Sequence, residues 1–160
     1  MYRGLGDRWG EALALNHAGW TLSQIGDYRQ ALIYCQQALV IMVAAGDSHN
    51  VANILDSIGY AYRHLGHHAR AAACYRRAVH MYTELGYRYP RAKTLGYAGD
   101  AHYAAGDLPA AQDAWQEALH ILGELHHPDA DRLRAELQAL ATGAPPAPGS
   151  SPRPPAVARR

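Results

Sequence analysis

Apolar side chains recur along this chain every three or four positions, in stretches separated by short breaks built on glycine. That spacing gathers the apolar residues on one side of an α-helix. It predicts helices over 8–25, 49–65 and 90–105, each followed by a second helix over 28–45, 68–85 and 108–125. Gly26-Asp27, Gly66-His67 and Gly106-Asp107 divide the two helices of each pair. Glycine closes a helix cheaply in the left-handed conformation, and an aspartate carboxylate can cap the helix that follows. Gly46-Asp47 repeats the device between pairs, and Pro90 suits a first helical turn, where its missing N–H forfeits no bond. No stretch alternates as a strand would. A last helix is expected over 129–140, opened by Pro128-Asp129. In it Leu133, Leu137 and Leu140 form an apolar stripe, while Asp131, Arg132, Arg134, Glu136 and Gln138 form the solvated side of a cap.

The pairs repeat with a period of forty residues. Gly19, Gly59 and Gly99 are in register, as are Gly26, Gly66 and Gly106; Ala31, Ala71 and Ala111; Ala38, Ala78 and Ala118; and Leu39, Val79 and Leu119. Gly6, Gly46 and Gly86 mark the boundaries, so the units are 8–46, 47–86 and 87–126. Small residues such as Gly19 with Ala31, Gly59 with Ala71 and Gly99 with Ala111 belong where two helices cross closely. Leu22, Tyr34, Tyr62, Tyr75 and Trp115 then fill the spaces between hairpins. A single hairpin cannot bury both of its faces, so stacking supplies the stability. Residues 1–141 read as one domain. Proline, glycine and serine dominate 142–160, too few apolar side chains for a core, which predicts a disordered tail. Its prolines also leave open a role as a proline-rich ligand.

Three positional series carry a resemblance: Ala18-Gly19, Leu22, Gly26, Ala31, Cys35 and Ala38; Ile58-Gly59, Tyr62, Gly66, Ala71, Tyr75 and Ala78; Ala98-Gly99, His102, Gly106, Ala111, Trp115 and Ala118. This pattern resembles the tetratricopeptide repeat, with a unit longer than the 34 residues common in that family. The resemblance covers about residues 5–140. It implies an all-α fold: a right-handed superhelical stack of helix-turn-helix hairpins with a C-terminal capping helix. The long repeats with a Leu-Gly-Asp-Arg boundary look like the C-terminal arrays of large bacterial regulators, of the antibiotic-regulatory and nucleotide-switch ATPase types. The family's arrangement lines a concave groove with the first helix of each unit. Carried over, the inward positions are Asn16, Trp20 and Gln24; Asn53, Asp56, Tyr60, Arg63 and His64; and Lys93, Asp100 and Tyr103. Steps of three or four place them along one helix face. Trp, Tyr and Arg are the types that carry interface energy. Trp20 and Tyr60 are equivalent in adjacent units, and Arg63, one turn on, is offered to a partner's carboxylate or carbonyl as an ordinary surface side chain. The blander alternative is a solvated polar face.

Composition narrows the function. Apolar residues make up 49% of the 160 and charged residues 18%, a globular balance. A net charge of +1 argues against nucleic acid or an acidic membrane as partner. No apolar run reaches the roughly 18 residues of a membrane helix. The first residues lack the apolar core of a signal peptide, so a cytoplasmic protein is expected. Arginine far outnumbers lysine, a bias that suggests a GC-rich bacterial genome. Cys35 and Cys74 read as small buried hydrophobes. His64, His67 and His68 cluster at one turn and His126 with His127 at another, but no cysteine or carboxylate joins them, so no metal is expected. No phosphate-cradling glycine motif occurs, and Ser23, Ser48 and Ser57 lie in no nucleophile elbow, so neither a cofactor nor catalysis is expected. Leu5-Gly6-Asp7-Arg8 aligns with 45–48 and 85–88, which reads as the tail of a missing preceding unit. Leu13, Leu15 and Leu22 would then face nothing, and self-association through this uncapped hairpin is expected. The function expected is a scaffold that binds a protein or peptide, the docking arm of a regulator. The alternatives are a self-associating scaffold, or an accessory domain of an enzyme whose catalytic part lies elsewhere.

Overall fold

The computed structural model describes residues 3–143, which form seven helices and, among the described residues, no strand. They are α1 (Arg3–Gln24), α2 (Tyr28–Ala45), α3 (Ser48–His64), α4 (His68–Leu85), α5 (Arg88–Ala104), α6 (Leu108–Glu124) and α7 (Asp129–Thr142). The segment expected to be a tail lies, from residue 144 on, outside the described residues.

The turns form as their chemistry dictates. Gly26, Gly66 and Gly106 have φ of 90°, 81° and 81°, the left-handed backbone that favours glycine. The carboxylates of Asp27, Asp47 and Asp107 accept from the backbone N–H of Gln30, Asn50 and Ala110 at 3.2, 3.0 and 3.2 Å. His67 and Tyr87 stand at equivalent positions without a side-chain cap. One boundary differs from expectation. α1 runs unbroken through Gly6, so Gly6 closes no unit. Glycine inside a helix costs only about 1 kcal/mol relative to alanine, and the chain simply stays helical there.

Hairpins α1/α2, α3/α4 and α5/α6 stack through α2 on α3, α4 on α5 and α6 on α7. The core runs through the stack, around Met42, Ile54, Leu55, Ile58 and Tyr82 at one end and Trp115, Ile121, Leu122 and Leu133 at the other. Gly19 does approach Ala31 as expected, a Cβ there lying 3.1 Å from the Ala31 carbonyl oxygen, but the nearest neighbour of each register glycine is a different residue. A Cβ on Gly59 would lie 2.7 Å from Cε1 of Tyr75. On Gly19 it would collide with Sγ of Cys35, and on Gly99 with the Trp115 ring. The space left by each glycine is therefore filled by the residue sixteen positions later in its own hairpin. Tyr75 and Trp115 lie over the glycines rather than between hairpins, though the Tyr75 ring also comes within 5.8 Å of Tyr97 in the next unit.

A second series locks successive units at their open ends. The Trp9 indole donates to Asp47 at 2.9 Å, the His49 ring meets Tyr87 edge-on at 5.3 Å, and the Tyr89 ring lies 4.6 Å from His127. Farther along the same helices, Trp20 meets Tyr60 and Asp56 meets Thr94. Starts pair with starts and middles with middles, so α1, α3, α5 and α7 run side by side in one direction.

Two expectations about surfaces are corrected here. Leu13 and Leu15 pack against the first core cluster, whereas the first hairpin exposes Trp9, Ile25, Ile33, Val40 and Val43. On α7, Arg132 and Glu136 do not belong to the solvated side. Glu136 is buried, and Arg132 turns inward between Glu136 at 3.8 Å and Asp100 at 3.9 Å. A helix docked as the next unit of the stack presents its inward row to the groove, whatever the polarity of that row.

Candidate functional site: the concave face

The inner face of α1, α3 and α5 divides into an aromatic wall and a polar floor. The wall begins at Trp20, whose ring is 5.1 Å from that of Tyr60. Tyr60 lies 4.2 Å from the His64 ring, which stacks on Tyr28 at 4.9 Å and 22°. Nδ1 of His64 is 2.9 Å from the Tyr60 carbonyl oxygen, which fixes the imidazole in place. Burial lowers the His64 pKa, and Tyr60 is raised chiefly by burial despite its hydrogen bond with Gln24. Four rings from two hairpins thus form one surface at the turn end of the groove. Beside it lies a cleft of about 550 Å³ lined by Leu13, Ala14, Asn16, His17, Trp20 and Ser57.

The floor is a network of charged and polar side chains that hold one another. Arg63 donates to Asp100 at 3.0 Å, with the two side chains 12% and 16% exposed. Its guanidinium also lies 5.6 Å from the centre of the Tyr60 ring and 5.9 Å from that of Tyr97, within the range of cation–π attraction. Asp100 further accepts from the Trp115 indole at 3.2 Å. Burial raises the Asp100 pKa against the pull of Arg132 and Arg63. Asp56 accepts from the Thr94 hydroxyl at 2.9 Å and from Tyr82 at 3.1 Å. Desolvation nevertheless pushes its pKa up to about 7, with Thr94, Lys93 and Tyr82 pulling the other way. The Tyr82 hydroxyl shares its one proton between Asp56 and the nearer Asn53 Oδ1 at 2.6 Å, and the Lys93 ammonium sits 5.8 Å from the Tyr97 ring centre.

Of the residues expected in the groove, Trp20, Gln24, Tyr60 and His64 come together on the wall. Asn53, Asp56, Arg63, Lys93 and Asp100 come together on the floor. Two are occupied by their own hairpins: Asn16 accepts from the Cys35 thiol at 3.7 Å, and Tyr103 stacks on Trp115 at 5.8 Å. Arg63 is committed to Asp100 and is not the exposed donor that its position suggested. Sequence reasoning missed Tyr28, Thr94, Tyr97, Arg132 and Glu136. One signal was available: Glu136 falls forty residues after Gly96 and eighty after Asp56, in the same inward row as Asn16. At Gly96 that row is empty, and the Arg132 guanidinium packs there, 3.3 Å from where a Cβ would be. Among the described residues, no three His, Cys, Asp or Glu side chains gather as metal ligands would. No helix of the described residues is long and apolar enough to cross a membrane.

The tetratricopeptide repeat family matches over residues 10–84, from α1 to α4. Among curated proteins none matches this sequence. Solved structures share the fold. The TPR domain of Arabidopsis FLU superposes with a TM-score of 0.70 at 14% identity, covering 73% of this chain and 98% of that one. A Rap protein complexed with competence and sporulation factor gives 0.74 at 17% identity, covering 89% of this chain and 39% of the other. The N-terminal domain of stress-induced protein-1 from C. elegans gives 0.66 at 19% identity, covering 84% and 97%.

Proposed function

We propose that this stack of tetratricopeptide-like hairpins is a non-catalytic scaffold that holds a protein or peptide segment along its concave face. The observation that carries the reading is the wall of Trp20, Tyr60, His64 and Tyr28, continuous across two hairpins. Rigid rings presented by three packed helices give contact area at little loss of side-chain entropy, which is why such residues dominate binding energy. The floor contributes stiffness and the wall contributes contact. The Rap protein likeness, in a structure solved with a bound factor, supports the same use of the fold. The finer reading is the docking arm of a cytoplasmic bacterial regulator. The forty-residue unit supports it.

The test is capture from lysate of the source cell, with bound proteins identified by mass spectrometry, comparing the parent with a Trp20→Ala/Tyr60→Ala double variant. The expected result is loss of a defined set of proteins at unchanged helical circular dichroism. An unchanged captured set would overturn the groove reading.

A second reading, self-association, rests on a different surface. The exposed Ile33, Val40 and Val43 lie along α2, with Trp9 beside them. The positions equivalent to Val40 and Ala44 in the later hairpins hold polar pairs, His80 with Glu84 and His120 with Glu124. Only the first hairpin offers an apolar patch in that row.

A further inference from the structure

We propose that a second binding site lies away from the concave face, in the groove between α2 and α4, and that it takes an acidic segment of another protein: a carboxylate side chain held between Arg29 and Arg70, with an apolar side chain beside it. The site is separate from the aromatic wall and does not rest on the reading of that face.

The first observation is the groove itself. α2 and α4 flank a cavity of about 370 Å³ over the end of α3. Leu32 and Ile33 of α2, with Leu65 after α3, give it an apolar side, and Ile33 is half exposed. Tyr62 completes the lining from α3. It follows Tyr60 by two positions, so it leaves the helix on nearly the opposite side from the wall.

The second is charge. The ionic side chains that line the cavity are Arg29, Arg70 and, at the turn, His67. Neither arginine has an ion-pair partner among the described residues. The nearest carboxylate along the chain, Asp27, is engaged with the Gln30 N–H. α2 has no acidic residue, and the one on α4, Glu84, lies about 21 Å along the helix from Arg70. The Arg70 guanidinium is 5.7 Å from the Tyr62 ring centre, which holds it over the groove. The Tyr62 hydroxyl accepts from the Gln36 amide at 3.4 Å and keeps its own proton to donate. His67 stands where Asp27 and Asp107 cap α2 and α6, so α4 begins with no side-chain cap and no acid in its first turn. A helix start of that kind adds to the attraction for an anion.

The third is a comparison within the chain. One unit further on, between α4 and α6, a cavity of about 350 Å³ is lined by Arg76 together with Asp113 and Glu117. There His102 stands in the place of Tyr62. Of these two grooves, only the first lacks a carboxylate.

The lining also selects the kind of anion. A guanidinium pairs with a carboxylate through two parallel hydrogen bonds, and arginines on facing helices fix its position. Leu32, Ile33 and Leu65 favour an apolar neighbour on the same segment over a sugar–phosphate chain. Tyr62 is engaged by Arg70 and Gln36 rather than left open to stack on a base. A second copy docked groove to groove about a twofold axis would set these arginines against themselves.

The experiment selects phage-displayed random dodecapeptides on the full-length chain, on Arg29→Gln/Arg70→Gln and on Arg76→Gln. The expected result is a class of peptides with Asp or Glu next to Leu, Ile or Val. It should bind the parent and Arg76→Gln alike and Arg29→Gln/Arg70→Gln about tenfold more weakly. A synthetic member of that class should shift the Tyr62 ring resonances of the parent and leave the Trp20 indole N–H in place. Charge reversal, Arg29→Glu/Arg70→Glu, should turn the selected class basic, a result that loss of the fold cannot produce. The proposal is overturned by the absence of an acidic class, or by one indifferent to Arg29 and Arg70. Oligouridine bound through the same arginines more tightly than any peptide, or parent dimers that those arginines hold together, would overturn it as well. So would an acidic peptide that moves Trp20 and not Tyr62, which would belong to the concave wall.

Discussion

Arg63 on α3 and Asp100 on α5 are joined across the floor of the groove at 3.0 Å, with little of either side chain exposed. The guanidinium is also placed over the faces of Tyr60 and Tyr97, and Arg132 from α7 approaches the same carboxylate. Two cations, from the elements on either side, therefore converge on Asp100. The Arg63–Asp100 pair ties the second hairpin to the third.

Arg63→Met should consequently destabilise the fold by about 3 kcal/mol, in the range found when one member of a buried ion pair is removed. An ordinary surface site would lose only about 0.5 kcal/mol. Urea unfolding followed by circular dichroism decides between them, and a loss below 1 kcal/mol would show that the pair is dispensable.

Gly99→Ala should be destabilising although alanine is the better helix former. The added methyl meets the Trp115 ring, which is itself 1% exposed and has nowhere to move. Overpacking of this kind costs about 1–3 kcal/mol, against a gain of about 1 kcal/mol in helix propensity. The check is a double-variant cycle. With Trp115→Leu already present, the Gly99→Ala substitution should lose most of its effect, and strict additivity of the two would contradict the contact.

Stability should depend on pH through Asp56. Its folded pKa of about 7 lies above the ordinary value of 3.8, so the folded chain holds this proton more tightly than the unfolded chain does. The stabilisation linked to protonation is complete below pH 3.8, is lost as pH rises toward 7, and changes no further above that. Asp100 is shifted in the same direction and Asp47 in the opposite one, so the difference between parent and variant is the useful measure. Asp56→Asn should gain on the parent in urea midpoint between pH 4 and 7. Parallel midpoint curves for the two proteins would rule out a raised Asp56.

Val40→Lys combined with Val43→Lys should reduce any concentration-dependent association without changing the melting temperature by more than a degree or two. Both side chains are at least half exposed, and contiguous apolar surface of this kind drives association. Light scattering at high micromolar concentration reads the outcome. A parent that is strictly monomeric there would remove the basis of the self-association reading.

Much of the architecture was legible in the sequence. Helical periodicity reports which side of a helix is apolar, and the left-handed turn at glycine followed by a capping aspartate is decided within a few residues. Gly26, Gly66 and Gly106 with their neighbours could therefore be read without the fold. The forty-residue register then placed Trp20 and Tyr60 together, because equivalent positions in a regular stack are neighbours. Gly6 is where this local reasoning failed. The same dipeptide that makes a turn at Gly46-Asp47 stays helical at Gly6-Asp7, since glycine permits a turn without requiring one.

What the sequence alone determined, then, is the direction in which each side chain leaves its own helix and the order in which the hairpins follow. What only the tertiary structure decided is which of those side chains meet. Arg63 finds Asp100 rather than a partner's carboxylate, Tyr75 and Trp115 close over glycines inside their hairpins, and Arg132 and Glu136 turn from the solvent side of a cap into the groove. Each of these depends on the rotation and crossing of helices whose contacting residues are sixteen to thirty-seven positions apart. Desolvation and pairing are properties of that packed arrangement, and no periodicity along one helix encodes them.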